Sequence, residues 1–141
     1  MVSNVCKDWL KSAQNDFIVI HSIIEMVQNP RRRPHEQVLY HSQQAAEKAL
    51  KAYLYNCNLQ PWGHDLNALR TDCSKLDNSF NTKRIVDHCA FLQAYSVARY
   101  PDYTDKIDAS VASRGINSAK RIYDFIAVRL GIEKCFSIDK P

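Results

Sequence analysis

The sequence predicts an all-α protein: an up-and-down bundle of four long helices with one short helix among them. Three observations lead there. Apolar residues recur at steps of three and four over long stretches, the period of a helix with one buried face. The chain of 141 residues holds only 3 Gly and 5 Pro, too few turn formers for a fold made of many hairpins. Its 45% apolar and 24% charged residues are ordinary for a globular chain that buries one core.

The first helix runs from about Val5 to Val27, where Trp9, Ala13, Phe17, Ile20, Ile24 and Val27 repeat at helical spacing. "NPRRRP" stops it, because Pro30 and Pro34 disfavour helix in the residues before them. Pro34 suits a first turn, and the second helix continues to about Cys57 through strong helix formers. Its alanines, Ala45, Ala49 and Ala52, let a neighbouring helix come close. "NLQPWG" is a loop, and Asp65 is the expected N-cap of a short helix across "LNALRTDCSKL". After "DNSFN", Asn81 or Thr82 caps a helix from Lys83 to about Arg99, with Ile85, Cys89, Leu92 and Ser96 on one row and Val86, Ala90 and Val97 beside it. Pro101 ends it. The last helix, from about Ser110 to Leu130, packs through Ala112, Ile116, Ala119, Ile122, Tyr123, Ile126 and Leu130, with Gly131 as its C-terminal cap. Residues 1–131 are thus expected to form one helical domain, and 132–141 a loose tail.

The net charge of +4, from 19 Lys+Arg against 15 Asp+Glu, favours an anionic partner such as a nucleotide or RNA. It falls short of a surface made to coat nucleic acid. Cys6, Cys57, Cys73, Cys89 and Cys135 are odd in number and widely spaced, without a C-x-x-C pair. Neither zinc spacing nor a disulfide framework is present, so the thiols are expected to serve as small core residues in a reducing compartment. No apolar run reaches membrane-spanning length, and "MVSNVCKDWLKSAQ" has no apolar leader core. The expected location is the cytoplasm, with no metal and no cofactor implied.

One face of the second helix carries His41, Gln44, Lys48 and Lys51, at steps of three, four and three. Such a row is ordinarily the solvated stripe of an amphipathic helix, with Glu47 simply pairing with Lys51. It is also a candidate wall of a site. The next long helix places His88 and Arg99 towards one side, and "SVARYPDY" sets Arg99, Tyr100 and Asp102 at a proline-fixed end. Arginine suits bidentate phosphate contact and tyrosine offers a stacking face. Equally, Arg99 could serve its own helix dipole. His64 stands at the start of the short helix, where N–H groups favour anions. Arg31 to Arg33 are candidates for phosphate contact but are more often simply solvated in such a loop, His21 is expected to be a core or interface histidine, and Trp62 to cover the core edge.

"W-L-x-x-A-x-x-D" (Trp9 to Asp16), "H-x-Q-Q-A-A-E-K-A-L-K-A" (His41 to Ala52), "H-D-L" (His64 to Leu66) and "A-R-Y-P-D" (Ala98 to Asp102) occur in that order. Together they resemble the HEPN family, named for nucleotide binding in higher eukaryotes and prokaryotes, from Trp9 to about Leu130. The resemblance implies a commonly dimeric bundle of four long helices with a short extra one. Many members are ribonucleases, often toxins beside a minimal nucleotidyltransferase antitoxin, and carry Arg-x4–6-His as phosphate contact and acid/base. Here seven residues separate Arg33 from His41, three separate Arg31 from His35, and three separate Arg84 from His88, so no pair fits. The other branch binds nucleotides or docks partners. On that resemblance, His41, Gln44, Lys48, Lys51, Arg99, Tyr100 and Asp102 would hold a purine nucleotide, with His64, Arg84 and His88 as secondary candidates. A homodimer or a nucleotidyltransferase is the implied partner, and a metal-independent ribonuclease lacking the usual motif is the alternative.

Overall fold

Five α-helices carry the structure: α1 (Asn4–Met26), α2 (His35–Asn56), α3 (Leu66–Ser74), α4 (Lys83–Ala94) and α5 (Ala109–Leu130), with a 3₁₀ turn at Asn78–Asn81 before α4. The computed structural model describes residues 1–96, 107–136 and 138, and no strand occurs among them. Each start has a local cause. Ser3 caps α1 by accepting from Cys6 N at 3.2 Å, Asp65 caps α3 from Ala68 N at 3.0 Å, and Asp108 caps α5 from Val111 N at 2.9 Å. Gly131 closes α5 at φ 69°, in the left-handed region that favours glycine.

The helix α2 is the centre of the bundle. It packs against α1 on one side and α5 on another, while α3 and α4 lean on it further along. Ala45, Ala46, Ala49 and Ala52 are fully buried there, the close approach that small side chains allow. Phe17 of α1 meets Tyr123 of α5 edge to face at 5.8 Å between ring centroids. Phe80 of the 3₁₀ turn stands between Tyr53 at 4.8 Å and Phe125 at 5.0 Å. Cys6, Cys73 and Cys89 are buried as expected of core thiols, and burial pushes Cys6 up to about 11 and Cys89 up to about 12.

Three local expectations are corrected. First, α4 ends at Ala94, short of Arg99: Tyr95 N donates back to the Leu92 carbonyl at 3.2 Å in a closing turn, and Gln43 Nε2 donates to the same oxygen at 2.6 Å. Ser96, placed on the buried row, is exposed. Second, Arg33 is not solvated. Its Nε donates to Val27 O at 2.9 Å and its Nη2 to Gln28 O at 3.2 Å, satisfying carbonyls left open at the end of α1. Third, Trp62 does not cover the core edge: it is 89% exposed and borders an open cleft with Leu54, Leu59 and Leu76. Leu54, Leu66 and Leu69, none above 2% exposed, already close that edge.

Gly115 of α5 marks the tightest helix contact, since an added Cβ would run into Leu39 Cδ1 of α2. Alanine is the better helix former by about 1 kcal/mol, yet Leu39 is fully buried and has little room to turn. Gly115→Ala is expected to destabilise by about 1–2 kcal/mol in urea unfolding, and much less on a Leu39→Ala background. A stabilising Gly115→Ala would show the contact to be loose.

Candidate functional site

Of the 22 residues of α2, 13 are buried. A charged row on so central a helix cannot face water, and a charge taken out of water is tolerated only with a partner. The structure supplies one for each cation. Asp16 of α1, 6% exposed, binds His41 Nδ1 at 2.8 Å through one oxygen and Lys48 Nζ at 2.7 Å through the other. Lys51 donates to Glu47 at 3.1 Å, with both side chains 8% exposed. The Lys51 ammonium also lies 5.5 Å from the centroid of the Trp9 ring, which stacks on Tyr55. Glu47 further meets His64 Nδ1 at 3.1 Å.

An ionised carboxylate only accepts hydrogen bonds, so where Asp16 takes both Lys48 Nζ and His41 Nδ1, it is His41 Nδ1 that donates. The arrangement is a clamp of α2 onto α1, with His41 and Lys48 each 23% exposed at its outer edge.

Beyond Glu47 the same face opens into a small cleft. Gln43, Gln44 and Glu47 of α2, His64 and Leu66 at the start of α3, and Leu92, Gln93 and Ser96 of α4 and its end line about 60 Å³. Two of its amides are already engaged: Gln43 by Leu92 O, and Gln93 Oε1 by Leu66 N at 2.8 Å. Gln44 makes no side-chain hydrogen bond among the described residues, and the His64 side chain is 84% exposed at the rim. The lining carries amides, a hydroxyl, an imidazole and a paired carboxylate, so it offers hydrogen bonds in both directions and little net charge.

The predicted site residues therefore divide. His41, Lys48 and Lys51 come together in ion pairs, while Gln44 and His64 border the cleft. Arg84 and His88 lie elsewhere, on the α4–α5 side, where His88 Nδ1 meets Ser118 Oγ at 2.9 Å. Arg99, Tyr100 and Asp102 fall outside the described residues. Asp16, Glu47, Gln43 and Gln93 were not among the site candidates. A signal existed for Asp16, an acid lying in the apolar stripe between Ala13 and Ile20. For Gln43 and Gln93 nothing in the spacing distinguishes them from surface glutamines.

A HEPN domain model matches residues 6–130. Among solved structures, the crystal structure of TT1696 from Thermus thermophilus superposes with a TM-score of 0.77 at 22% identity, covering 90% of this chain and 99% of that one. At that identity the likeness shows the fold alone. A search of curated proteins finds no significant match.

Removing the acid that holds His41 and Lys48 leaves both short of a partner. Asp16→Ala is expected to destabilise by about 1–3 kcal/mol, and the loss is expected to shrink when Lys48→Met is already present. Urea unfolding of the two single variants and the double variant checks this. Strict additivity would show that the pair contributes nothing as a pair.

Proposed function

The chain belongs to the HEPN domain family, and from that premise we propose that it is a nucleotide-binding module whose cleft between α2, α3 and α4 receives the edge of a purine base. The observation that carries this reading is the convergence of polar side chains from three elements on one cleft, with no uncommitted cation among its described lining residues. Amides, a hydroxyl and a carboxylate suit the mixed donors and acceptors of a base edge better than a phosphate. Size points the same way. Whole small-molecule pockets are typically about 300–1,000 Å³, so a cleft of about 60 Å³ takes one edge of a ligand and leaves the rest on the surface.

Lys48 and Lys51 leave the list of phosphate contacts in this reading, because each is matched by a carboxylate. Arg99, three residues beyond Ser96 in the chain, is the phosphate partner the sequence suggests. No cleavage step is proposed. Among the arginines and histidines near the nuclease pattern, Arg33 is engaged with the Val27 and Gln28 carbonyls just past α1, His41 with Asp16 and His88 with Ser118. Assembly as a homodimer, or with a nucleotidyltransferase, belongs to the same proposal.

Thermal unfolding in the presence of ATP, GTP, their nucleosides and inorganic phosphate tests it. Purine nucleotides are expected to raise the melting temperature with concentration, reaching about 2.7 kcal/mol of stabilisation at a hundredfold excess over Kd. Gln44→Leu is expected to remove the effect without unfolding the protein, and Arg99→Ala to weaken nucleotides more than nucleosides. No shift at millimolar nucleotide, or an equal shift with phosphate alone, overturns the reading.

A further inference from the structure

The outer face of α4 and α5 carries cations that the fold does not use. Arg84, Arg121 and Lys134 line an open cleft of about 230 Å³ whose remaining wall includes Ile85, Phe125 and Val128. Among the described residues no ion pair reaches any of these three cations. The other charged groups there are already engaged: Arg129 with Asp77 at 3.2 Å, and Asp124 with Cys135 N at 2.9 Å. Arg114 stands seven residues before Arg121, on the same side of α5. The strip from Arg114 to Val128 is therefore about 20 Å long, several turns of helix. Val128 is 58% exposed at its far end, an apolar residue among cations.

His88 lies one turn from Arg84, and its pKa is held below the usual imidazole value, first by burial and then by Arg121 and Arg84, with Asp87 pulling the other way. Arg84, Arg121 and Lys134 line one cleft, which is the condition for attracting a multiply charged anion.

Two occupants fit poorly. A single-stranded nucleic acid held by its bases would need open aromatic faces. Here the Arg129 guanidinium covers Phe125 at 3.3 Å, and Arg114 covers Phe91 at 4.1 Å. A second copy docked face to face would set Arg84 and Arg121 against like charges in a chain whose net charge is already +4. We propose that the α4–α5 face docks an acidic amphipathic segment of a partner protein, with its carboxylates on Arg84, Arg121 and Lys134 and an apolar side chain against Val128. This is the mode in which a helix lies in a groove with charged flanks, and it stands independently of the nucleotide reading.

Fluorescence anisotropy with three labelled probes tests it: a short synthetic peptide with a leucine stripe flanked by glutamates, the same peptide with glutamines, and a short single-stranded RNA. The glutamate peptide is expected to bind the whole chain, more weakly as salt rises. Its affinity is expected to fall at least tenfold in Arg84→Gln/Arg121→Gln, and to stay unchanged in Gln44→Leu. Both arginines are exposed, so the melting temperature of the double variant should match that of the parent, and Arg121→Gln alone serves as a second variant. Equal binding of the two peptides, undiminished binding by the arginine variants, or displacement of the peptide by tighter-binding RNA overturns the proposal.

Discussion

A single buried carboxylate sets the relation between the first two helices. Asp16 sits within the apolar stripe of α1 and answers an imidazole and an ammonium of α2 that lie about two turns apart. Burial makes that constraint strict. At 6% exposure Asp16 has no water to turn to, and the centre of α2 has α1 on one side and α5 on another. Any slide of α2 along α1 separates groups held at 2.8 and 2.7 Å, leaving charges poorly compensated. Apolar packing drives the bundle together, and the carboxylate selects the register in which it closes.

That constraint explains why the sequence motifs occur as a set. Trp9 and Asp16 of the first motif touch Lys51, His41 and Lys48 of the second, and His64 of the third reaches Glu47. These residues are mutually dependent for geometric reasons that hold whatever the ligand. A family motif of this kind describes a scaffold first, and the candidate functional groups lie at its rim or outside it. Two such sets stand out: the polar cleft bounded by Gln44 and His64, and the exposed cations Arg84, Arg121 and Lys134 on the α4–α5 side.

Much of the fold was legible in the sequence because helical periodicity and capping are local. Asp65 and Gly131 act as caps where the residue types place them, and the buried residues of α5 include most of its predicted row. Legibility failed at helix ends that a side chain closes. Gln43 of α2 reaches the Leu92 carbonyl near the end of α4, and Arg33 turns back on the Val27 and Gln28 carbonyls six and five residues before it. The row His41, Gln44, Lys48 and Lys51 was visible as a row, but one-dimensional spacing carries no information about how deeply α2 is buried. Its members therefore read as solvent-facing or ligand-facing, whereas three of the four face carboxylates.

The protonation state of His41 tests the clamp most directly. A long-range ¹H–¹⁵N spectrum of the imidazole distinguishes its two nitrogens at neutral pH. A proton on Nδ1, in the neutral or the charged ring, is the expected result, and it should disappear from Nδ1 or exchange freely in Asp16→Ala. A neutral ring protonated only at Nε2 would contradict it, because Nδ1 would then face the Asp16 carboxylate as a second acceptor and the clamp could not exist as described.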